Sequence, residues 1–181
     1  MKITETPLKD CFVIEPTVIG DSRGYFYEKF NQKIFEEHTQ QNGNFVQDNV
    51  SKSHYGVLRG LHLQKGEHAQ AKLVSCIEGT VYDVAVDLRE GSPTYQQWFG
   101  IELSGENKKQ LYIPRGFAHG FIVLSPIAIF SYKCDNFYCK ESEGSVKYND
   151  PDLNIDWKIP YKDMLLSEKD QNAPSFKEHN F

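Results

Sequence analysis

A chain of 181 residues with 39% hydrophobic and 25% charged residues is long enough for one domain with a substantial core, and its make-up is that of a soluble globular protein. The formal charge of −5, with no run of Lys and Arg, argues against a nucleic-acid polymer as partner but leaves room for a nucleotide-sized anion. The opening MKITETPLKDCFVIEP lacks the apolar stretch of a signal peptide, and no segment is long and apolar enough to span a bilayer. Cys11, Cys76, Cys134 and Cys139 show no zinc-binding spacing. These features lead to the expectation of a cytoplasmic protein with reduced thiols and no membrane association.

Ten Tyr and twelve Phe favour β structure, because aromatic side chains suit a pleated, half-buried surface. Taken in chain order, strands are expected at Cys11–Glu15 and Tyr25–Phe30. Asn31 then caps a short helix over Gln32–Thr39, with Ile34, Phe35 and His38 on one side. Further strands follow at Phe45–Ser53, Gly56–Gln64, Ala71–Ile77, Val81–Leu88, Gln97–Leu103, Gln110–Ile113, Gly120–Leu124 and Ala128–Cys134. A second helical piece is expected at Tyr161–Leu166. Short alternating strands separated by turn residues, without linker or repeat, make a single all-β domain built as a sandwich or barrel.

Two strands carry polar residues on one face. Gln47, Asn49 and Ser51 alternate, which most often marks a solvent face and less often the lining of a ligand cavity. Asp83 and Asp87 share a face with Val81 and Ala85, while Tyr82, Val84, Val86 and Leu88 point the other way.

The most informative stretch is Gly56-Val57-Leu58-Arg59-Gly60-Leu61-His62-Leu63-Gln64. It sets a permanent cation and an imidazole among apolar residues. A buried Arg is costly unless it meets an anion, and an imidazole titrates near neutrality. Together they suggest a pocket for an anionic substrate that loses a proton. Arg59 and His62 have opposite parity, so a regular strand would send them to opposite faces. If both serve one site, an irregularity near Gly60 is required, such as a bulge.

At this point the chain resembles the dTDP-4-dehydrorhamnose 3,5-epimerase family. The resemblance runs from about residue 7 to residue 174, and its motifs occur in order. They are Asp21-Ser22-Arg23-Gly24-Tyr25-Phe26, then Gln47-Asp48-Asn49-Val50-Ser51-Lys52-Ser53, then GVLRGLHLQ and AQAKLVSCIEGTVYDVAVDLREGSPTY. IPRGFAHGF, SYKCDNFY, YNDPDLNIDW and LSEKD follow. The resemblance implies a cupin-like jelly roll with a few short peripheral helices, and a homodimer whose N-terminal segments are exchanged. It also implies a nucleotide-linked 4-keto-6-deoxyhexose as substrate.

For such a substrate, the hydrogens at C3 and C5 flank a ketone. Removing one gives an enolate, and reprotonation from the opposite face inverts the centre. The reaction needs a base, an acid across the ring and a group to hold the enolate oxygen, but no cofactor. By the resemblance, His62 is the base and Asp170 its carboxylate partner. Tyr132 is the proton donor, which nearby cations would have to bias towards release. Lys72 lies near the C4 oxygen. Arg23, Arg59 and Lys169 match substrate-binding positions, with Arg59 suited to the diphosphate. Glu28, Gln47, Asp48, Asn49, His119 and Glu143 match further contacts, and Phe26 and Tyr138 look like aromatic walls. No metal is expected, because His62 is followed by Gln64 and His119 stands alone in its motif. A relative acting at one centre only, on a related 4-keto sugar, is the alternative. The chain departs from the family at Lys65-Gly66-Glu67-His68, and again where Lys158 and Ile159 stand between Trp157 and Pro160. The second departure bears on how the segment carrying Asp170 docks.

Overall fold

The structure is a computed structural model and describes residues 1–178. Its elements in chain order begin with β1 (Lys2–Glu5), β2 (Phe12–Glu15), β3 (Val18–Asp21), β4 (Gly24–Tyr27), α1 (Gln32–Thr39), β5 (Gln47–His54) and β6 (Leu58–Gln64). There follow β7 (Lys72–Glu78), β8 (Thr80–Asp87), β9 (Trp98–Ser104), β10 (Gln110–Ile113), β11 (Phe117–Val123), β12 (Ile127–Cys134), β13 (Glu143–Ser145) and the one-turn α2 (Glu168–Gln171). One sheet has six strands in the order β1-β2-β10-β7-β12-β5, and the other five in the order β13-β6-β11-β8-β9. The hairpin β3–β4 stands apart from both. The two large sheets pack face to face as the jelly roll that the sequence led us to expect.

Alternation explains the packing. On β8, Val81 and Ala85 join Val74, Leu111, Phe121 and Phe130 in the core between the sheets. Tyr82, Val84 and Val86 point outwards, into a second core with Trp157, Ile155 and Leu153 from the C-terminal segment. Both faces of β8 are therefore buried. A third cluster sits behind the six-stranded sheet, where Phe35 of α1 packs on Phe12, Leu73 and Tyr112. The α1 cap is as expected: Asn31 Oδ1 accepts from the Ile34 amide at 3.2 Å. His38 is exposed rather than packed, because the buried edge of this helix runs through Phe35 and Thr39.

The expected helix at Tyr161–Leu166 is only a 3-10 turn over Tyr161–Asp163. Beyond it the chain pairs in extended form with the start of β6. The Leu165 amide donates to the Gly56 carbonyl at 2.8 Å, and the Leu58 amide donates to the Leu165 carbonyl at 2.9 Å. This pairing outcompetes the local helical preference and carries the chain over the open end of the sandwich, where α2 forms.

The irregularity at Gly60 is present. Arg59 pairs with Phe121 and His62 with His119, so two residues of β6 oppose the single Gly120 of β11. Leu58, Leu61 and Leu63 all face the outer core as a result, and Arg59 and His62 turn to the same inner side. Gly60 has φ of +141°, and a Cβ there would lie 2.5 Å from the Gly120 Cα. Only glycine fits this position without displacing backbone.

Candidate active site

The inner faces of β5, β6, β7, β11 and β12, closed on one side by the Leu165–Asp170 segment, line a cavity of about 570 Å³. Each strand delivers its polar residue by alternation. Lys72 follows the inward parity of Val74 and Cys76 on β7, and Tyr132 that of Ala128 and Phe130 on β12. Asn49 stands opposite Tyr132 in the β5–β12 register. Asn49 and Ser51 therefore line the cavity. The solvent-face reading is corrected here for Asn49 and Ser51, while Gln47 lies at the rim; the exposed residues of β5 are Asp48, Val50, Lys52 and His54.

His62 and Asp170 form a dyad, with His62 Nε2 2.5 Å from Asp170 Oδ1. Asp170 is 3% exposed and lies on α2, whose amide at Asp170 donates to the Ser167 hydroxyl at 3.1 Å. Burial by itself would raise the Asp170 pKa, but the His62 hydrogen bond and charge, with the Ser167 cap, outweigh it and hold the carboxyl below its ordinary value. The departure at Lys158-Ile159 is absorbed in a turn. Lys158 takes φ of +70°, its amide donates to Asp156 Oδ1 at 3.0 Å, and Ile159 packs against the outer core. The segment thus still brings Asp170 to His62.

Burial pushes the Tyr132 phenol above its ordinary pKa; the nearby Cys134 adds to this, and Arg59 only partly offsets it. The shift favours the protonated phenol. Lys72 is pulled below its ordinary pKa by burial, against the opposing pull of Cys134 and Asp83. His119 is pushed towards its neutral form by burial, although Asp83 opposes the shift. Arg59 donates through Nε to the Ser53 hydroxyl at 3.2 Å and lines the cavity.

Not every expected residue meets here. Asn49, Arg59, His119 and Lys169 share the cavity with His62, Lys72, Tyr132 and Asp170. At its rim, Lys169 pairs with Glu143 at 2.5 Å, and Gln47 Oε1 accepts from the Tyr138 amide at 3.1 Å. Asp48 points outwards and pairs with Lys133 at 2.8 Å. Glu28 accepts from Asn31. Arg23 and Phe26 sit on the β3–β4 hairpin in a separate shallow depression. The cavity also holds residues to which no role was assigned. Ser51 Oγ is buried without a hydrogen-bond partner, and the alternation of Gln47, Asn49 and Ser51 was its signal. Leu166 and Ser167 belong to the LSEKD motif, whereas Leu165 left no local signal. Among the described residues, no group of three or more His, Cys, Asp or Glu is placed to hold a metal ion. No helix among them is long and apolar enough to cross a membrane.

Residues 5–178 match the family described as dTDP-4-dehydrorhamnose 3,5-epimerase. The chain belongs to this epimerase family. A relative of that name from Shigella flexneri is 53% identical over 176 residues, covering 97% of this chain and 96% of its own. The crystal structure of a dTDP-4-dehydrorhamnose 3,5-epimerase from Elizabethkingia anophelis superposes with a TM-score of 0.97 at 73% identity, covering 100% of this chain and 99% of the other. A dTDP-6-deoxy-D-glucose-3,5-epimerase from Legionella pneumophila, solved in complex with dTDP-4-keto-L-rhamnose, gives 0.94 at 51% identity, covering 99% and 94%. The dyad and the bulge described above therefore belong to a member of this epimerase family.

Proposed function

We propose that the protein inverts C3 and C5 of dTDP-4-dehydro-6-deoxy-D-glucose to give dTDP-4-dehydro-L-rhamnose, by proton transfer through an enolate. The observation that carries this reading is the His62–Asp170 dyad opening on the same cavity as Tyr132 and Lys72. Asp170 holds the proton of His62 on Nε2, which leaves Nδ1 as the lone pair that removes the C3 or C5 proton. The imidazolium that forms is stabilised by the carboxylate at its back. Lys72 donates to the C4 oxygen as charge develops there, so its contribution grows in the transition state. Tyr132 returns a proton from the other face of the ring. Arg59 and Lys169 supply cations for the diphosphate.

The N-terminal hairpin supports a homodimer with exchanged segments. Ile19, Tyr25 and Phe26 are 66%, 63% and 69% exposed, an apolar surface that a second copy would cover. In such a dimer Arg23 and Phe26 complete the partner's pocket. We place the enzyme in the cytoplasm, in keeping with its four free thiols.

The test is incubation with dTDP-4-keto-6-deoxyglucose in deuterium oxide, read by NMR. Deuterium at both C3 and C5, with inversion, is the expected result. Deuterium at one carbon alone would support single-centre epimerisation, and none at either would overturn both readings for this substrate.

A further inference from the structure

A second His–carboxylate pair, which the proton transfers above leave unused, borders the cavity through His119. His119 Nε2 lies 2.8 Å from Asp83 Oδ2, and the two side chains are 8% and 0% exposed. The pair sits beside the dyad, because His119 is the register partner of His62 across β11 and β6. Asp83 Oδ1 is buried with no hydrogen-bond partner. A buried carboxylate oxygen left unpaired costs stability, and a buried ion pair can commonly be replaced by apolar residues without loss. Packing alone therefore gives no reason to keep Asp83 at this place in the core.

The chemistry of the pair does give one. A carboxylate only accepts, so in a pair of carboxylate and neutral imidazole the hydrogen of His119 sits on Nε2. In that tautomer Nδ1 is a bare lone pair on a ring that lines the cavity. Phe130 stacks on the ring, with centroids 6.1 Å apart and planes 17° apart, and fixes its plane. Burial keeps His119 towards the neutral form, unlike the role asked of His62, which must take up a proton. A bare Nδ1 has no hydrogen for a ketone oxygen. It needs a donor, and the donors on a hexose are its hydroxyls.

We propose that Asp83 is a positioning residue that sets His119 Nδ1 as a hydrogen-bond acceptor for a sugar hydroxyl, so that the pair selects hydroxylated hexoses against their deoxy counterparts. Lys72 and His119 then divide the polar groups of the sugar, the cation taking the carbonyl oxygen and the imidazole a hydroxyl hydrogen. The substrate half of this proposal rests on the sugar-nucleotide reading, whereas the tautomer half does not.

The experiment has two arms. In ligand-free protein carrying ¹⁵N-labelled histidine, assigned with His119→Asn, the ring nitrogens of His119 should show Nε2 protonated and Nδ1 bare at neutral pH. A protonated Nδ1 overturns the proposal, whatever the protein turns over. The second arm compares deuterium exchange at C5 for dTDP-4-keto-6-deoxyglucose and for its 2-deoxy and 3-deoxy counterparts, in the wild type and in Asp83→Asn. The wild type should disfavour one of the two deoxy compounds by roughly 10–100-fold, the cost of leaving a buried acceptor unpaired. The variant should slow on the parent sugar but keep the wild-type rate on that deoxy compound, so that discrimination falls below about fivefold. Equal discrimination in both proteins, or none in the wild type, refutes the selectivity. No exchange on the parent sugar in the wild type would instead count against the epimerase reading, and the tautomer arm would still decide the role of Asp83.

Discussion

Replacing Asp170 by Asn removes one charge and almost no volume from the dyad. The carboxylate is 3% exposed and lies 2.5 Å from His62 Nε2. When His62 takes the substrate proton, an imidazolium faces this carboxylate with charge centres about 4 Å apart. At an effective dielectric of about 20, that attraction is about 4 kcal/mol. At about 1.4 kcal/mol per decade, its loss slows proton abstraction about 10³-fold. The Asn amide can also hold the imidazole in the wrong tautomer, which adds to the loss. Deuterium wash-in at C3 and C5 under saturating substrate measures the rate, and calorimetric titration with dTDP measures binding, which should stay within about twofold because His62 and Asp170 do not touch the nucleotide in the proposed pose. An Asp170→Asn variant within tenfold of wild-type exchange would refute the dyad argument.

Three further outcomes follow from the same geometry. Tyr132→Phe should let His62 exchange the proton on its own face while net inversion falls about 10²–10⁴-fold; equal loss of both would argue against a donor across the ring. Gly60→Ala places a Cβ 2.5 Å from the Gly120 backbone at φ of +141°, and should cost at least about 2 kcal/mol and lower the melting temperature together with activity. An unchanged melting temperature would contradict the bulge as the device that aligns Arg59 and His62. The folded-state pKa of Asp170 is held low, so its stabilising contribution is fully present above the ordinary carboxyl value of about 4 and is lost as pH falls through the folded value. Denaturant unfolding of wild type and Asp170→Asn should therefore differ above about pH 4 and converge below it; a constant gap down to about pH 2 would refute the assignment.

The sequence carried the architecture because short alternating strands bounded by turn residues have few ways to bury their apolar faces; the ten expected strands lie within a few residues of observed ones, whereas the short strands β1, β3 and β13 were not expected. It also carried the central tension of the site, the opposite parity of Arg59 and His62, and pointed to an irregularity near Gly60 as what would resolve it. Other features lay beyond local reading. The inward turn of Asn49 and Ser51 depends on which face of β5 meets β12 and the opposite sheet, and polar alternation by itself is the same for water and for a cavity. The strand-like docking of Leu165 on Gly56 and Leu58 overrode a local helical pattern through hydrogen bonds to residues more than a hundred positions away. That docking brings Asp170, an ordinary acid in the sequence, to His62. The pairing of His119 with Asp83 arises in the same way, from two strands whose register only the folded sheet defines. Period and turn chemistry are properties of neighbours along the chain, so they can be read from it. Which side chains meet across a cavity depends on how distant segments pack, and only the tertiary structure decides that.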